Sequence, residues 1–145
     1  MKVKIKKTHK DAVIPSYAKE GDAGMDLTAV SREIDSDGNI CYDIGLAFEI
    51  PEGYMGLVFP RSSNAKKDLI LSNSIGLIDS GFRSNVTLKF KPLMEAKDSE
   101  FLEVYEVGDR IGQIVIMPYP KIEFKEVEEL SQTKRGLGGY GSTGK

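Results

Sequence analysis

The residues with the clearest chemical potential lie at the end of the chain, where Gly139 to Lys145 read GYGSTGK. This spacing matches the G-x-x-x-x-G-K of a phosphate-binding loop, whose glycines let backbone N–H groups surround an anion. Ser142 and Thr143 add hydroxyl groups, Arg135 adds positive charge, and Tyr140 offers a flat face for stacking. The residue types fit a phosphate or nucleotide clamp as well as they fit a solvated tail.

Four other polar clusters interrupt the apolar pattern. They are AGMDL at 23–27, PRSS at 60–63, NSIGLIDSGFRS at 73–84 and GDRIGQ at 108–113. Their acids, arginines and hydroxyls suit phosphoryl chemistry with a magnesium ion held mainly by substrate phosphates. Each cluster also has a structural interpretation. Arg61 and Asp79 could form an internal ion pair, Ser62 could cap a helix, and Gly108 could open a turn.

Composition excludes several classes of protein. A length of 145 residues suits one domain, and a net charge of -2 gives no footprint for nucleic-acid binding. No apolar run approaches the roughly 18 residues that span a bilayer. The N-terminal stretch lacks the apolar segment of a signal peptide, so we expect a cytoplasmic protein without a membrane partner. Cys41 and His9 are single, which excludes a disulfide framework and a zinc or Cys–His site; we expect a buried thiol.

The chain is divided into many short segments typical of strands. Alternation at Val3 and Ile5 has a period of two, and Asp37-Gly38 is a hairpin-turn signal. Pro51-Glu52-Gly53 predicts another turn, and a short helix is expected only within 63–68. Further strands are expected at 69–72, 75–78, 85–91 and 111–117. The pattern predicts an all-β fold, a barrel or jelly roll, over residues 1–130, followed by a flexible glycine-rich tail over 131–145.

Taken in order, the five motifs resemble those of the trimeric deoxyuridine triphosphatase (dUTPase) family over essentially the whole chain. They are AGMDL, PRSS, GLIDSGF at 76–82, GDRIGQ and RGLGGYGSTG at 135–144. The resemblance implies a distorted β-barrel or jelly roll that forms a homotrimer with active sites between subunits. The tail of one subunit would close over a neighbouring site. The implied reaction is Mg²⁺-dependent hydrolysis of dUTP to dUMP and pyrophosphate by attack of water on the α-phosphorus, which removes dUTP and supplies dUMP for dTMP synthesis.

The resemblance also assigns roles to catalytic residues. Asp79 would orient and deprotonate the attacking water, and Ser62 would contact the oxygen between the α- and β-phosphates. Arg61 would position the site by pairing with acids, and Gln113 would hold a phosphate oxygen. Asp26 would reach the magnesium ion only through water.

A larger set of residues is implied in substrate binding. Asn73 and the backbone of a hairpin containing the third motif would read the uracil, and Phe82 would lie under the deoxyribose. The tail would bind the γ-phosphate and stack on the base. The full set is Ser63, Asn73, Gly76, Leu77, Ile78, Phe82, Thr87, Arg135, Gly138, Tyr140, Ser142 and Thr143. Phe82, Ser84 and Tyr140 stand where the family more often has Tyr, Gly and Phe.

Two other functions stay open at this level. A dCTP deaminase shares the fold and an Arg-Ser-Ser motif, but it needs a glutamate in the strand after the third motif, where this chain has Lys89. A dUTP-sensing regulatory protein is the second alternative. The connection between Phe90 and Gly108, including 94–100, is the region with room for a regulatory partner, although an ordinary exposed loop is the favoured interpretation.

Overall fold

The protein is described by a computed structural model that covers residues 1–93 and 102–139. Its described part contains ten strands and one short 3-10 helix, Ser62–Lys66. The strands are β1 Lys4–Lys7, β2 Met25–Thr28, β3 Ser31–Ile34, β4 Ile40–Asp43, β5 Leu46–Glu49, β6 Tyr54–Phe59, β7 Leu69–Leu71, β8 Gly76–Ile78, β9 Thr87–Pro92 and β10 Arg110–Pro118. The predicted all-β class is therefore confirmed. No helix in the described ranges is long and apolar enough to cross a membrane.

Two four-stranded antiparallel sheets and a two-stranded ribbon make up the fold. One sheet has the order β2-β10-β6-β8, the other has β3-β4-β9-β7, and β1 pairs with β5. Strand β9 shows why the sheets pack together, because Leu88 and Phe90 are buried while Lys89 and Lys91 are exposed. This alternation puts apolar side chains on one face of the sheet, and packing against the other sheet removes that face from water.

The core lies between the sheets. Tyr42 and Phe90 are fully buried and meet edge to face with ring centroids 5.8 Å apart. The Tyr42 hydroxyl donates to the carbonyl oxygen of Tyr105 at 2.8 Å, so burial leaves no unpaired polar atom on that side chain. Cys41 is buried, as the sequence predicts, and burial raises the pKa of its thiol above the usual range.

Turns fall where glycine allows them. Gly38, between β3 and β4, has φ +78°, and Gly53, before β6, has φ +82°. Both values lie in the left-handed region that favours glycine, so the predicted turns at Asp37-Gly38 and Glu52-Gly53 are confirmed.

The hairpin implied for the third motif, with its turn near Phe82 and Ser84, is wrong, because β8 and β9 belong to different sheets. Strand β7 pairs with β9 in one sheet, whereas β8 pairs with β6 in the other. Residues 72–75 therefore carry the chain from one sheet to the other instead of closing two paired strands. The choice of sheet partner depends on long-range packing, which short-range turn signals do not encode.

The packed part of the chain ends with β10. Residues 119–137 are exposed, and 119–139 contain no strand. Apolar side chains on this segment face solvent within one chain: Phe124 is 94% exposed and Leu130 is 87% exposed. We refer to residues 119–139 as the C-terminal segment.

Candidate active site

Two surface clefts contain most of the predicted site residues that the structure describes. The first, the β8–β9 cleft, has a volume of about 160 Å³ and lies beside loop 72–75. The second, the arginine cleft, has a volume of about 410 Å³ and is built around Arg61 and Arg110. They share no lining residue.

The β8–β9 cleft has an apolar floor and a polar mouth. Val58, Leu71 and Leu88 form buried parts of its lining. These were not predicted as site residues, because buried aliphatic side chains give no signal that separates a pocket floor from ordinary core. The structure brings together six that were predicted: Asn73, Gly76, Leu77, Ile78, Phe82 and Thr87. A narrow apolar slot with a few polar groups suits a flat heterocyclic ring.

Loop 72–75 is tightly bent where it borders this cleft. Ser74 has φ +61°, and the amide of Ile75 donates to the carbonyl oxygen of Asn73 at 2.6 Å around it. A residue other than glycine in this region costs on the order of 1–3 kcal/mol and persists only where its surroundings enforce it. The strain lies next to Asn73, the residue expected to read the base.

The arginine cleft is organised around Asp26 on β2. Its Oδ1 accepts a hydrogen bond from Arg61 Nε at 2.7 Å, and its Oδ2 accepts one from Arg110 Nη1 at 3.0 Å. The ion pair considered between Arg61 and Asp79 is therefore wrong, and Arg61 pairs with Asp26 instead. Asp26 and Arg61 side chains are about three-quarters buried, so their mutual orientation is fixed.

Gln113 is placed opposite Asp26 by strand pairing. Residues Gln113 and Asp26 are partners in the β10–β2 register. The Gln113 Nε2 atom donates to the carbonyl oxygen of Pro60 at 3.3 Å. A Cβ atom at Gly24 would lie only 2.6 Å from Gln113 Oε1, which explains the glycine in AGMDL. The Gln113 amide is thus held between two backbone segments and faces the cleft.

The helix after Arg61 presents Ser62 to the cleft. The N-cap position is Arg61 with no side-chain capping bond, so the expectation that Ser62 caps the helix is wrong. Ser62 lines the cleft and is exposed. Its neighbour Ser63 accepts a hydrogen bond from Arg61 Nη1 at 3.2 Å and does not line the cleft.

Arg110 belongs to the motif GDRIGQ, but it was not predicted as a site residue. The structure places it on the cleft wall with Asp22, whose Oδ2 accepts a hydrogen bond from the Lys19 amide at 2.8 Å. Two arginines and two aspartates leave the cleft close to neutral. It offers many N–H donors without a large net charge.

Asp79 lies at the end of β8, is exposed, and lines neither cleft. Its carbonyl oxygen accepts from the Phe82 amide at 3.1 Å. Arg83 Nη1 donates to the carbonyl oxygens of Ser80 at 2.6 Å and Phe82 at 2.9 Å. This guanidinium closes the loop that carries Asp79, a role that no sequence pattern indicated.

The two described tail residues of the predicted site, Arg135 and Gly138, line neither cleft. Arg135 is exposed, and its Nε donates to the carbonyl oxygen of Gly138 at 2.9 Å. Tyr140, Ser142 and Thr143 lie outside the described residues, as do residues 94–101 of the connection considered for a regulatory partner.

Lys89 bears on the deaminase alternative. Its ammonium group lies 3.0 Å from Asp35 Oδ2, and it does not line the β8–β9 cleft. The hydrogen bond to Asp35 raises the pKa of Lys89, so this position carries a positive charge that Asp35 holds in place. A deaminase-type glutamate has no counterpart here.

Two antiparallel sheets carry the apolar β8–β9 cleft and the donor-rich arginine cleft, a combination typical of an all-β protein that binds nucleotides. The chain belongs to the dUTPase family, whose model matches residues 10–144. It is 42% identical to the deoxyuridine 5'-triphosphate nucleotidohydrolase of Nautilia profundicola, with 100% of both chains covered. It is 40% identical to the enzyme of the same name from Escherichia phage T5, with 98% of each covered. The structure of the Staphylococcus bacteriophage 80alpha dUTPase with dUPNHPP matches with a TM-score of 0.82 and 28% identity, over 99% of this chain and 98% of that one.

Proposed function

We propose that this protein hydrolyses dUTP to dUMP and pyrophosphate. The observation that carries the proposal is the presence of two clefts. The narrow β8–β9 cleft borders the unpaired edge of strand β8, and the arginine cleft is rich in hydrogen-bond donors to phosphate. Relatives named for this activity, 40–42% identical over nearly the full length, support the same substrate.

Uracil selection follows from the position of β8 at the edge of its sheet. One side of β8 pairs with β6, and it is the last strand in the order. Outward N–H and C=O groups of an edge strand have no sheet partner. Backbone groups of Gly76, Leu77 and Ile78, together with the Asn73 amide, can meet the acceptor–donor–acceptor edge of uracil. Cytosine would leave a buried group unpaired, which costs about 1–3 kcal/mol.

The sugar and phosphates extend from this slot. Phe82 borders the slot and is 42% exposed, which leaves its ring available to a deoxyribose. Ser62 and Gln113 would donate to phosphate oxygens, and Arg61 would hold its neighbours in place through Asp26. Asp79 would accept a proton from the water that attacks the α-phosphorus.

Magnesium fits the arginine cleft as a substrate-borne ion. The two oxygens of Asp26 already accept bonds from guanidinium groups, so this carboxylate would reach a metal ion through water. Because the cleft is close to neutral, additional positive charge is needed to neutralise a triphosphate. A Mg²⁺ ion would supply that charge, and Arg135 would add to it at the γ-phosphate.

Assembly as a homotrimer would combine the parts that one chain keeps separate. Asp79 lines neither cleft, and the C-terminal segment exposes Ile122, Phe124 and Leu130. A second apolar groove, about 430 Å³, is lined by residues that include Val3, Ile5 and Ile116. A neighbouring subunit would cover such surfaces and would bring Gly138, Tyr140, Ser142 and Thr143 to the site. A cytoplasmic location stays a prediction.

The test is release of pyrophosphate with Mg²⁺ from dUTP, dCTP, dTTP and UTP in parallel. We expect release from dUTP alone, and none from the Asp79→Asn variant despite retained nucleotide binding. Ammonia formed from dCTP would support the deaminase instead. Normal turnover by Asp79→Asn would refute the assigned base.

A further inference from the structure

A chain of hydrogen bonds reaches loop 72–75 from residues that do not line the β8–β9 cleft. The Ser72 hydroxyl donates to Asn39 Oδ1 at 3.1 Å. The Asn39 Nδ2 atom donates to Asp35 Oδ1 at 3.1 Å. The chain thus connects the turn between β3 and β4 to the residue directly before Asn73.

Asp35 is a rigid anchor for this chain. Its Oδ1 accepts bonds from the backbone amides of Asp37 at 3.0 Å and Asn39 at 2.9 Å, and its Oδ2 accepts one from Lys89 at 3.0 Å. Only 18% of its side chain is exposed. A carboxylate in this state only accepts, so the Asn39 NH2 group must face Asp35 and its carbonyl oxygen must face Ser72. The amide orientation of Asn39 is therefore determined.

Loop 72–75 requires support of this kind. Its backbone is tied to β9 at its start, where the Ser72 amide donates to the carbonyl oxygen of Lys89 at 2.9 Å. The following bonds, from Ser74 to Leu71 and from Ile75 to Asn73, are local. Among the described residues, the Ser72 hydroxyl makes the one side-chain hydrogen bond that ties this loop to another element. The strained φ of Ser74 gives the loop a reason to relax if that bond is lost.

We propose that Asn39 and Ser72, anchored by Asp35, are positioning residues that set Asn73 at the mouth of the β8–β9 cleft. They tune affinity for the base and preference for uracil over cytosine, although neither lines the cleft. This inference rests on the proposed function, because it assigns Asn73 to base recognition.

The experiment compares Asn39→Ala and Ser72→Ala with wild type in steady-state hydrolysis of dUTP and dCTP. We expect KM for dUTP to rise about fivefold, the size of effect that loss of one hydrogen bond produces. The kcat should be unchanged, and the ratio of kcat/KM for dUTP over dCTP should fall. Ser72→Thr, which keeps the hydroxyl, should restore both values. The double variant Asn39→Ala/Ser72→Ala should be no worse than either single change, because both break the same bond.

Ser36→Ala is the matched control, since Ser36 is exposed in the same turn but takes no part in the hydrogen bonds that connect Asp35 to Ser72. It should behave as wild type. An unchanged KM and an unchanged dUTP preference in both test variants would overturn the inference while leaving the proposed function intact. A lower kcat and melting temperature with an unchanged KM would show that these hydrogen bonds serve folding alone, which also overturns the inference. No hydrolysis of dUTP by the wild-type protein would refute the proposed function and this inference together.

Discussion

Replacing Gly24 with Ala should disable Gln113 without unfolding the protein. The added Cβ would lie 2.6 Å from Gln113 Oε1, closer than Cβ atoms come to other atoms, and 3.3 Å from its Cδ, tighter than most such contacts. The obstructed atoms belong to the end of a side chain that can rotate, so the conflict is relieved by moving Gln113. Gly24 has no positive φ, so the backbone accepts alanine. Stability should therefore change little.

The cost falls on phosphate binding. A hydrogen bond to a charged group contributes about 1.5–3 kcal/mol, which corresponds to roughly 10- to 150-fold in kcat/KM if Gln113 loses its contact entirely. Gly24→Ala should lose at least tenfold, and Gln113→Ala should lose a similar amount. Pyrophosphate release from dUTP measures both, and thermal melting shows that both remain folded.

A double variant decides whether Gly24 acts through Gln113. If it does, Gly24→Ala has little further effect once Gln113 is alanine, and the two losses are strongly non-additive. Two losses that simply multiply would refute the reasoning, since Gly24 would then serve the site independently. Full activity of Gly24→Ala would refute it as well, by showing that Gln113 does not need its observed position.

Three further predictions follow from other parts of the molecule. The hydrogen bonds from Asn39 and Lys89 hold the pKa of Asp35 well below its usual range, so Asp35 stabilises the fold above about pH 4 and that stabilisation is lost as pH falls. In urea unfolding, the free energy of unfolding of Asp35→Asn should therefore decline less between neutral and acidic pH than that of the wild-type protein. An identical decline in the two proteins would contradict this. Phe90→Ala removes a fully buried ring and should lower the free energy of unfolding by about 3–5 kcal/mol, with Lys91→Ala on the exposed face as the near-neutral control. Arg83→Gln should lower kcat by loosening the loop that bears Asp79, and an unchanged kcat would show that its two carbonyl contacts are dispensable.

Local patterns predicted the elements whose determinants are local. The alternation in 85–91 corresponds to β9, Thr87–Pro92, because period two is a property of any half-buried strand. The turn at Asp37-Gly38 was predictable because it requires a residue with φ near +78°. The hairpin implied for the third motif was wrong, because the partners of β8 and β9 are chosen by two different sheets.

The sequence predicted which residues belong to the site only where those residues lie in the motifs. The resemblance assigned catalytic roles to Arg61, Ser62 and Gln113, and the structure places all three on the arginine cleft. The fourth catalytic residue that it indicated, Asp79, lines neither cleft. The partner of Arg61 was missed, because Asp26 is 35 positions away and reaches it only through the position of β2 beside β10. No spacing rule connects residues at that distance.

The sequence by itself determined the all-β class, the chemical inventory and the family, since strand periodicity and ordered motifs are written in consecutive residues. The tertiary structure decided how that inventory is divided: a slot at the edge of one sheet, an arginine cleft beside β2, and Asp79 in neither. It also revealed the connection from Asn39 to Ser72, which joins two turns 33 positions apart. Such contacts depend on which strands pair and in what register, and these choices are made by burial of the whole core.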